Sequence, residues 1–164
     1  MKSPTLVKPV QNHNKISKTK GPVENLELHL HPEWWKKIFN SVYLKTDADV
    51  VEDNRITENE VTLFSKILGI KEEDAILDLA CGQGRHLIEL GQRGKYSLYG
   101  LDRSRYLIQR AKNISKKKGL SINFKEGDAR KLPYATDTFE FVTILGNSFG
   151  YFETSDDDVN QRFA

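Results

Sequence analysis

The residues most capable of chemistry lie in one stretch, Ile76-Leu77-Asp78-Leu79-Ala80-Cys81-Gly82-Gln83-Gly84-Arg85, where an apolar strand runs into a glycine-spaced turn that opens a helix. Glycine at Gly82 and Gly84 lets bare backbone approach a ligand, and a helix N-terminus presents unpaired amides to it. A Gly-x-Gly pair alone describes many tight strand-to-helix turns. Asp102 adds to it: it stands 18 residues beyond Gly84, directly after the next apolar strand. A carboxylate there can accept hydrogen bonds from both hydroxyls of a ribose, so the two features together point to an adenosine-containing ligand.

The details of the turn narrow the choice. A dinucleotide fingerprint G-x-G-x-x-G counted from Gly82 puts Leu87 at the third small position, so the close helix packing that a pyrophosphate needs is not provided. Asp78, inside the strand before the turn, is poorly matched to a pyrophosphate and suits a ligand carrying an ammonium and a sulfonium group. No G-x-x-x-x-G-K-[ST] occurs, which excludes a P-loop. Cys81 could be read as a nucleophile, but it sits within the turn with no base paired to it in the sequence. His86 could be read as a base; its place on the helix behind the turn favours a packing or surface role.

The elements that must hold these residues alternate strand and helix from Ala75 onward, the grammar of a parallel sheet. Strands are expected at 75–80, 96–101, 121–125 and 139–145, with helices at 85–92 and 103–118, the second stopped by Gly119. Upstream, His31-Pro32-Glu33-Trp34-Trp35 opens a short amphipathic helix reaching Phe39, and 46–55 reads as a polar loop. Thr57-Glu58-Asn59-Glu60 has the form of a capping box ahead of Val61, Phe64, Ile67 and Leu68, with Gly69 ending that helix. The expected organisation is a flexible basic tail over 1–24, an N-terminal helical lid segment over 25–70 and a Rossmann-like core over 71–164.

Composition sets the outer limits. An apolar fraction of 38 % plus 11 glycines in 164 residues is that of a globular chain, and one domain of this length can bury a core. No apolar run spans a membrane and the first twenty residues hold no signal-peptide core, so the cytoplasm is the expected compartment. One cysteine and four scattered histidines give no metal-binding spacing, and no metal is expected. Of the net +2, five lysines (Lys2, Lys8, Lys15, Lys18, Lys20) lie in the first twenty residues, so the rest of the chain is mildly acidic and nucleic acid is not an expected partner.

Taken together, the residues resemble the class I S-adenosylmethionine-dependent methyltransferases. Leu77 to His86 is similar to that family's first motif in its Ala-Cys-Gly form, and Gly100-Leu101-Asp102-Arg103-Ser104 to its second. Glu126-Gly127-Asp128-Ala129 with Leu132-Pro133 and Phe139 is similar to the third, and Phe141 to Phe152 to the fourth strand and following loop. The resemblance implies a doubly wound, mostly parallel α/β sheet in which the first four strands lie in the order 3-2-1-4, here apparently truncated after the fourth. It implies S-adenosylmethionine as cofactor. Ala80, Cys81, Gly82 and Gly84 would lend backbone to the methionyl and ribose parts, Asp102 would hold the ribose, and Arg103 would lie against the adenine. Asp128 and Ala129 would read the adenine edge, and a carbonyl of Leu145 or Gly146, with Asp78 nearby, would face the ammonium. The implied reaction is in-line methyl transfer to a small-molecule acceptor. His31 and Tyr43, on the lid segment, and Phe149 and Tyr151, after the fourth strand, are the candidates for the acceptor side. A non-catalytic S-adenosylmethionine-binding subunit or sensor, and an NAD-dependent oxidoreductase, are the competing readings. A fourth strand left at an open edge would expose backbone that can pair with a second copy of the chain.

Overall fold

The structure is a computed structural model that describes residues 35–146; the basic tail, His31, Phe149 and Tyr151 lie outside the described residues. Four helices precede the sheet: α1 (Trp35–Ile38), α2 (Tyr43–Thr46), α3 (Ala48–Val51) and α4 (Asn54–Leu68). The alternating part follows as β1 (Ala75–Leu79), α5 (Arg85–Arg93), β2 (Ser97–Asp102), α6 (Arg105–Lys117), β3 (Ile122–Glu126) and β4 (Phe141–Thr143). The four strands are parallel in the order β3-β2-β1-β4, with Leu77 opposite Tyr99 on one side and Val142 on the other. The order turns back at β1, which is the reversal that defines a doubly wound sheet.

Side-chain alternation divides the sheet into two faces. Ile76, Leu98 and Phe124 point to the side where Val61 of α4, Leu87 and Leu90 of α5 and Ile108 and Ala111 of α6 cover them. On the other face Leu77, Leu79 and Leu101 pack under Ala129, Leu132, Tyr134, Phe139 and Ile144. That second layer is a loop braced by rings: Tyr99, Tyr134 and Phe139 meet edge to face at 5.0–5.9 Å between centroids. β1 is buried from Ile76 through Leu79, as the central strand of such a sheet must be.

Three expectations are corrected. The 46–55 stretch is not a loop, because α3 and the start of α4 lie within it. α4 is capped four residues before Thr57: Asp53 caps it, its Oδ1 accepting the amides of Arg55 at 2.7 Å and Ile56 at 3.3 Å. Thr57 is then interior and buried, and Glu60 reaches to another helix instead of back to its own cap. The fourth strand pairs over three residues, not seven, since Phe139 and Ile144 turn into the ring-braced layer. Elsewhere the ends behave as read: Gly69 and Gly119 close α4 and α6 with φ of +67° and +68°. Among the described residues β4 has only β1 beside it, and Val142 is exposed.

Candidate functional site

The carboxyl ends of β1 and β4 meet where the strand order reverses, which is where open α/β sheets place their ligands. Asp78 stands opposite Thr143 there. The cleft above them is lined by Tyr43, Asp78, Ala80, Gly82, Arg85 and Gly146, with Val51, Cys81, Gln83 and His86 completing its wall.

The turn that floors the cleft is built from left-handed residues: Ala80, Gly82 and Gly84 have φ of +55°, +56° and +74°. The glycines serve different ends. A Cβ on Gly84 would come within 2.5 Å of the Phe124 ring and 3.3 Å of Ala111, so this glycine lets α5 settle onto the sheet. A Cβ on Gly82 would meet only Leu107 Cδ1 at 3.9 Å, an ordinary van der Waals contact, so packing against the fold does not require glycine there. Gly84 caps α5 without a side chain, which leaves the first-turn amides available to a ligand. Ala80 holds a conformation that costs an L-residue about 1–2 kcal/mol. Ala80→Gly is therefore expected to stabilise the fold by about 0.5–1 kcal/mol, the relief being offset in part by the freer unfolded chain. A thermal melt checks this; an unchanged or lower midpoint would show that the strain at Ala80 is no larger than the entropy glycine adds to the unfolded chain.

Two buried acids set the electrostatics. Burial pushes the Asp78 carboxyl up to about 7, helped by the charge of Asp102 and opposed by a 3.1 Å bond from Thr143 Oγ1 and by Arg85. Asp102 is also raised by burial, although its Oδ2 accepts the Gly82 amide at 2.8 Å and its Oδ1 the Ser104 amide at 2.7 Å. The acid expected to hold a ribose thus already clasps the end of β2 to the β1 turn, and each oxygen keeps a further lone pair for a hydroxyl. Asp128 is the opposite case: hydrogen bonding from Arg130 first, with the charges of Arg130 and Arg103, holds it down at about 2 against partial burial. Both guanidinium groups lie 2.6 Å from its Oδ2.

Cys81 is buried, and burial followed by Asp78 and Asp102 pushes its thiol far up, so no thiolate nucleophile stands in the turn. The buried His86 ring is kept neutral by burial and by Arg85, and its Nε2 lies 2.9 Å from Glu60 Oε2. Arg85 pairs with the same carboxylate and reaches Thr57 Oγ1 at 3.0 Å. The histidine is thus a packed, hydrogen-bonded residue of α5 whose edge also borders the cleft.

Of the residues singled out in the sequence, the structure brings Tyr43, Asp78, Ala80, Cys81, Gly82 and Gly146 to one cleft, with Gly84 and Asp102 directly behind it. Arg103 and Asp128 pair with each other, Ala129 packs beneath the second sheet face, and Leu145 is half-buried at the end of β4. Gln83 and Arg85 were not singled out. Gln83 occupied the variable place of a Gly-x-Gly, and its partners are far away in sequence.

A reversing parallel sheet, a left-handed turn at the tip of its central strand and a buried acid closing on that turn define a Rossmann-like cofactor-binding domain. Residues 76–164, more than half of the chain, match the family model described as methyltransferase domain, and the chain belongs to that family. It is similar to a sterol 24-C-methyltransferase of Pneumocystis carinii, 29 % identical over 120 residues that make up 72 % of this chain and 31 % of that protein. A demethylmenaquinone methyltransferase of Oceanobacillus iheyensis is 37 % identical over 116 residues, 65 % of this chain and 47 % of its own length. The chain therefore spans less than half the length of these relatives. An S-adenosylmethionine-dependent methyltransferase from Clostridium acetobutylicum shares the fold with a TM-score of 0.58 at 21 % identity, over 73 % of this chain and 47 % of that one. Among the described residues no helix is long and apolar enough to cross a membrane.

Proposed function

We propose that the chain binds S-adenosylmethionine in the β1/β4 cleft and transfers its methyl group to a small-molecule acceptor. The observation that carries the reading is Asp78, a buried acid in the cleft that forms no salt bridge among the described residues, Arg85 being committed to Glu60, and that lies beside the backbone of Gly82. A cationic ligand would restore the charge that burial suppresses, and a dinucleotide pyrophosphate would be repelled by it. Leu87 stands in the core where a dinucleotide turn needs a small residue, which disfavours the oxidoreductase reading. The relatives, a sterol and a demethylmenaquinone methyltransferase, support a small apolar acceptor.

When bound, the cofactor would supply an electrophilic sulfonium methyl for in-line attack by an acceptor nucleophile, with S-adenosylhomocysteine as the leaving group. The chain's own residues bind and orient. Asp78 would hold the methionyl ammonium, Gly82 and the first amides of α5 would lend backbone to the ligand, and Asp102 would accept the ribose hydroxyls through its remaining lone pairs. For Asp128 to read the adenine edge, Arg103 and Arg130 must share its oxygens with the base. Tyr43 and Val51 limit water at the methionyl end. Much of the acceleration in such a transfer comes from placing the reactants and excluding water, and no dedicated base is assigned.

Calorimetric titration with S-adenosylmethionine, S-adenosylhomocysteine and NAD, followed by labelled methyl transfer to sterol and quinone acceptors, tests the reading. Asp102→Ala is expected to weaken S-adenosylhomocysteine by about 1.5–3 kcal/mol, the worth of hydrogen bonds to a charged group, and to lower stability because the Gly82 and Ser104 amides lose their acceptor. Binding of NAD in preference to both sulfur ligands would reverse the assignment.

A further inference from the structure

The segment from Phe39 to Glu52 is tied to both ligand-facing turns through its own carbonyls. At one end Ser104 Oγ, which also caps α6, donates to the Phe39 carbonyl at 2.6 Å. At the other, Gln83 Nε2 donates to the Val51 carbonyl at 2.9 Å. Between the ties the segment contributes Tyr43, and at the second tie Val51, to the wall of the cleft.

Gln83 is 8 % exposed and satisfied in both directions. While its amide nitrogen holds Val51, its Oε1 accepts Arg110 Nε at 2.6 Å, and the same guanidinium pairs with Glu52 at 2.7 Å. Val51, Gln83 and Arg85 also border a second, polar cleft that runs on to Asn54, Glu89 and Lys118. The chain Val51–Gln83–Arg110–Glu52 is therefore a partition between the two clefts. Among side chains of this length only an amide can donate to a carbonyl and accept from a guanidinium at once; a carboxylate only accepts and an ammonium only donates.

We propose that Gln83 is a positioning residue that latches the Phe39–Glu52 strap against the cofactor cleft and so sets how fast the cofactor leaves. The proposal rests on the cleft being the S-adenosylmethionine site. With the latch made, Val51 and Tyr43 stay against the methionyl end. With it broken, the partition opens and the cleft gains a second exit.

Gln83→Glu separates the two bonds. The carboxylate keeps and strengthens the contact to Arg110, which preserves the tie between the β1 turn and α6, but it has no proton for the Val51 carbonyl and repels it. In the full chain, stopped-flow release of S-adenosylhomocysteine is expected to quicken at least tenfold, with the melting temperature within a few degrees of wild type. Hydrogen exchange without ligand is expected to speed at the amides of 47–52. Gln83→Ala, which loses both bonds, is expected to release as fast and to melt lower. Wild-type release from Gln83→Glu overturns the proposal, whether or not exchange changes. A wild-type chain that takes up no S-adenosylhomocysteine sinks the functional reading itself, and the exchange comparison then still decides whether Gln83 ties the strap.

Discussion

Gly84→Ala is expected to unfold at a much lower urea concentration than wild type, while Gly82→Ala keeps most of its stability and loses its ligand. The two positions share a left-handed backbone, φ +74° and +56°, which costs an alanine about 1–2 kcal/mol in either place. They differ in what a methyl group would strike. At Gly84 it would lie 2.5 Å from the Phe124 ring, itself enclosed in the helix-side core, and overpacking of that kind adds about 1–3 kcal/mol. The total of about 2–5 kcal/mol is a large part of the roughly 5–15 kcal/mol that holds a domain folded. At Gly82 the methyl group would meet only Leu107 Cδ1 at ordinary contact distance, and it would stand at the floor of the proposed cofactor cleft. Its cost appears in calorimetry, as an S-adenosylhomocysteine affinity at least tenfold weaker, more than in the denaturation curve. The clash has its own check, because Phe124→Leu removes the ring that the Gly84→Ala methyl strikes. In a double-mutant cycle the pair should lose less than the sum of the single losses. Additive losses would mean that backbone strain alone makes Gly84 necessary.

That contrast also separates what the sequence could tell from what it could not. The turn, the two acids and the parallel sheet were legible because each rests on local pattern: a glycine spacing, an acid just after an apolar strand, a strict alternation of strand and helix; the 3-2-1-4 order followed only from the family resemblance. The different duties of Gly82 and Gly84 were not, since they depend on Phe124, forty residues away and on another strand. The start of α4 was misplaced for a related reason. Asp53 and Thr57 both satisfy a helix-cap pattern, and the structure uses Asp53 because Thr57 and Glu60 are committed to Arg85, with Glu60 also serving His86. The same holds for Gln83, a turn residue whose partners Val51 and Arg110 come from α3 and α6. Asp128 is the case where resemblance and geometry have most to reconcile: the role implied for it is to read an adenine edge, yet two arginines already share its carboxylate.

Ligand affinity is expected to rise with pH and then level, and Asp78 is the reason. Its carboxyl titrates at about 7 in the fold against 3.8 for an ordinary aspartate, because burial disfavours its charge. Below pH 7 it is mostly protonated, so a ligand whose ammonium needs the carboxylate must first displace that proton. S-adenosylhomocysteine affinity should therefore climb by up to tenfold per pH unit between pH 5 and 7 and flatten above. Titrations near pH 6 in two buffers of different ionisation enthalpy should show close to one proton released per ligand bound. The stability of the unliganded chain runs the other way. A carboxyl raised on folding contributes fully below its unfolded value near 4, and that contribution is lost as pH rises towards 7, at about 1.4 kcal/mol per unit. Asp78→Asn keeps an acceptor for Thr143 and removes the titration. It should therefore melt close to wild type at pH 4, melt higher than wild type at pH 8, and bind S-adenosylhomocysteine weakly with no pH dependence between 5 and 7. An affinity that stays level across that range in the wild-type chain would place the ligand's cation away from Asp78.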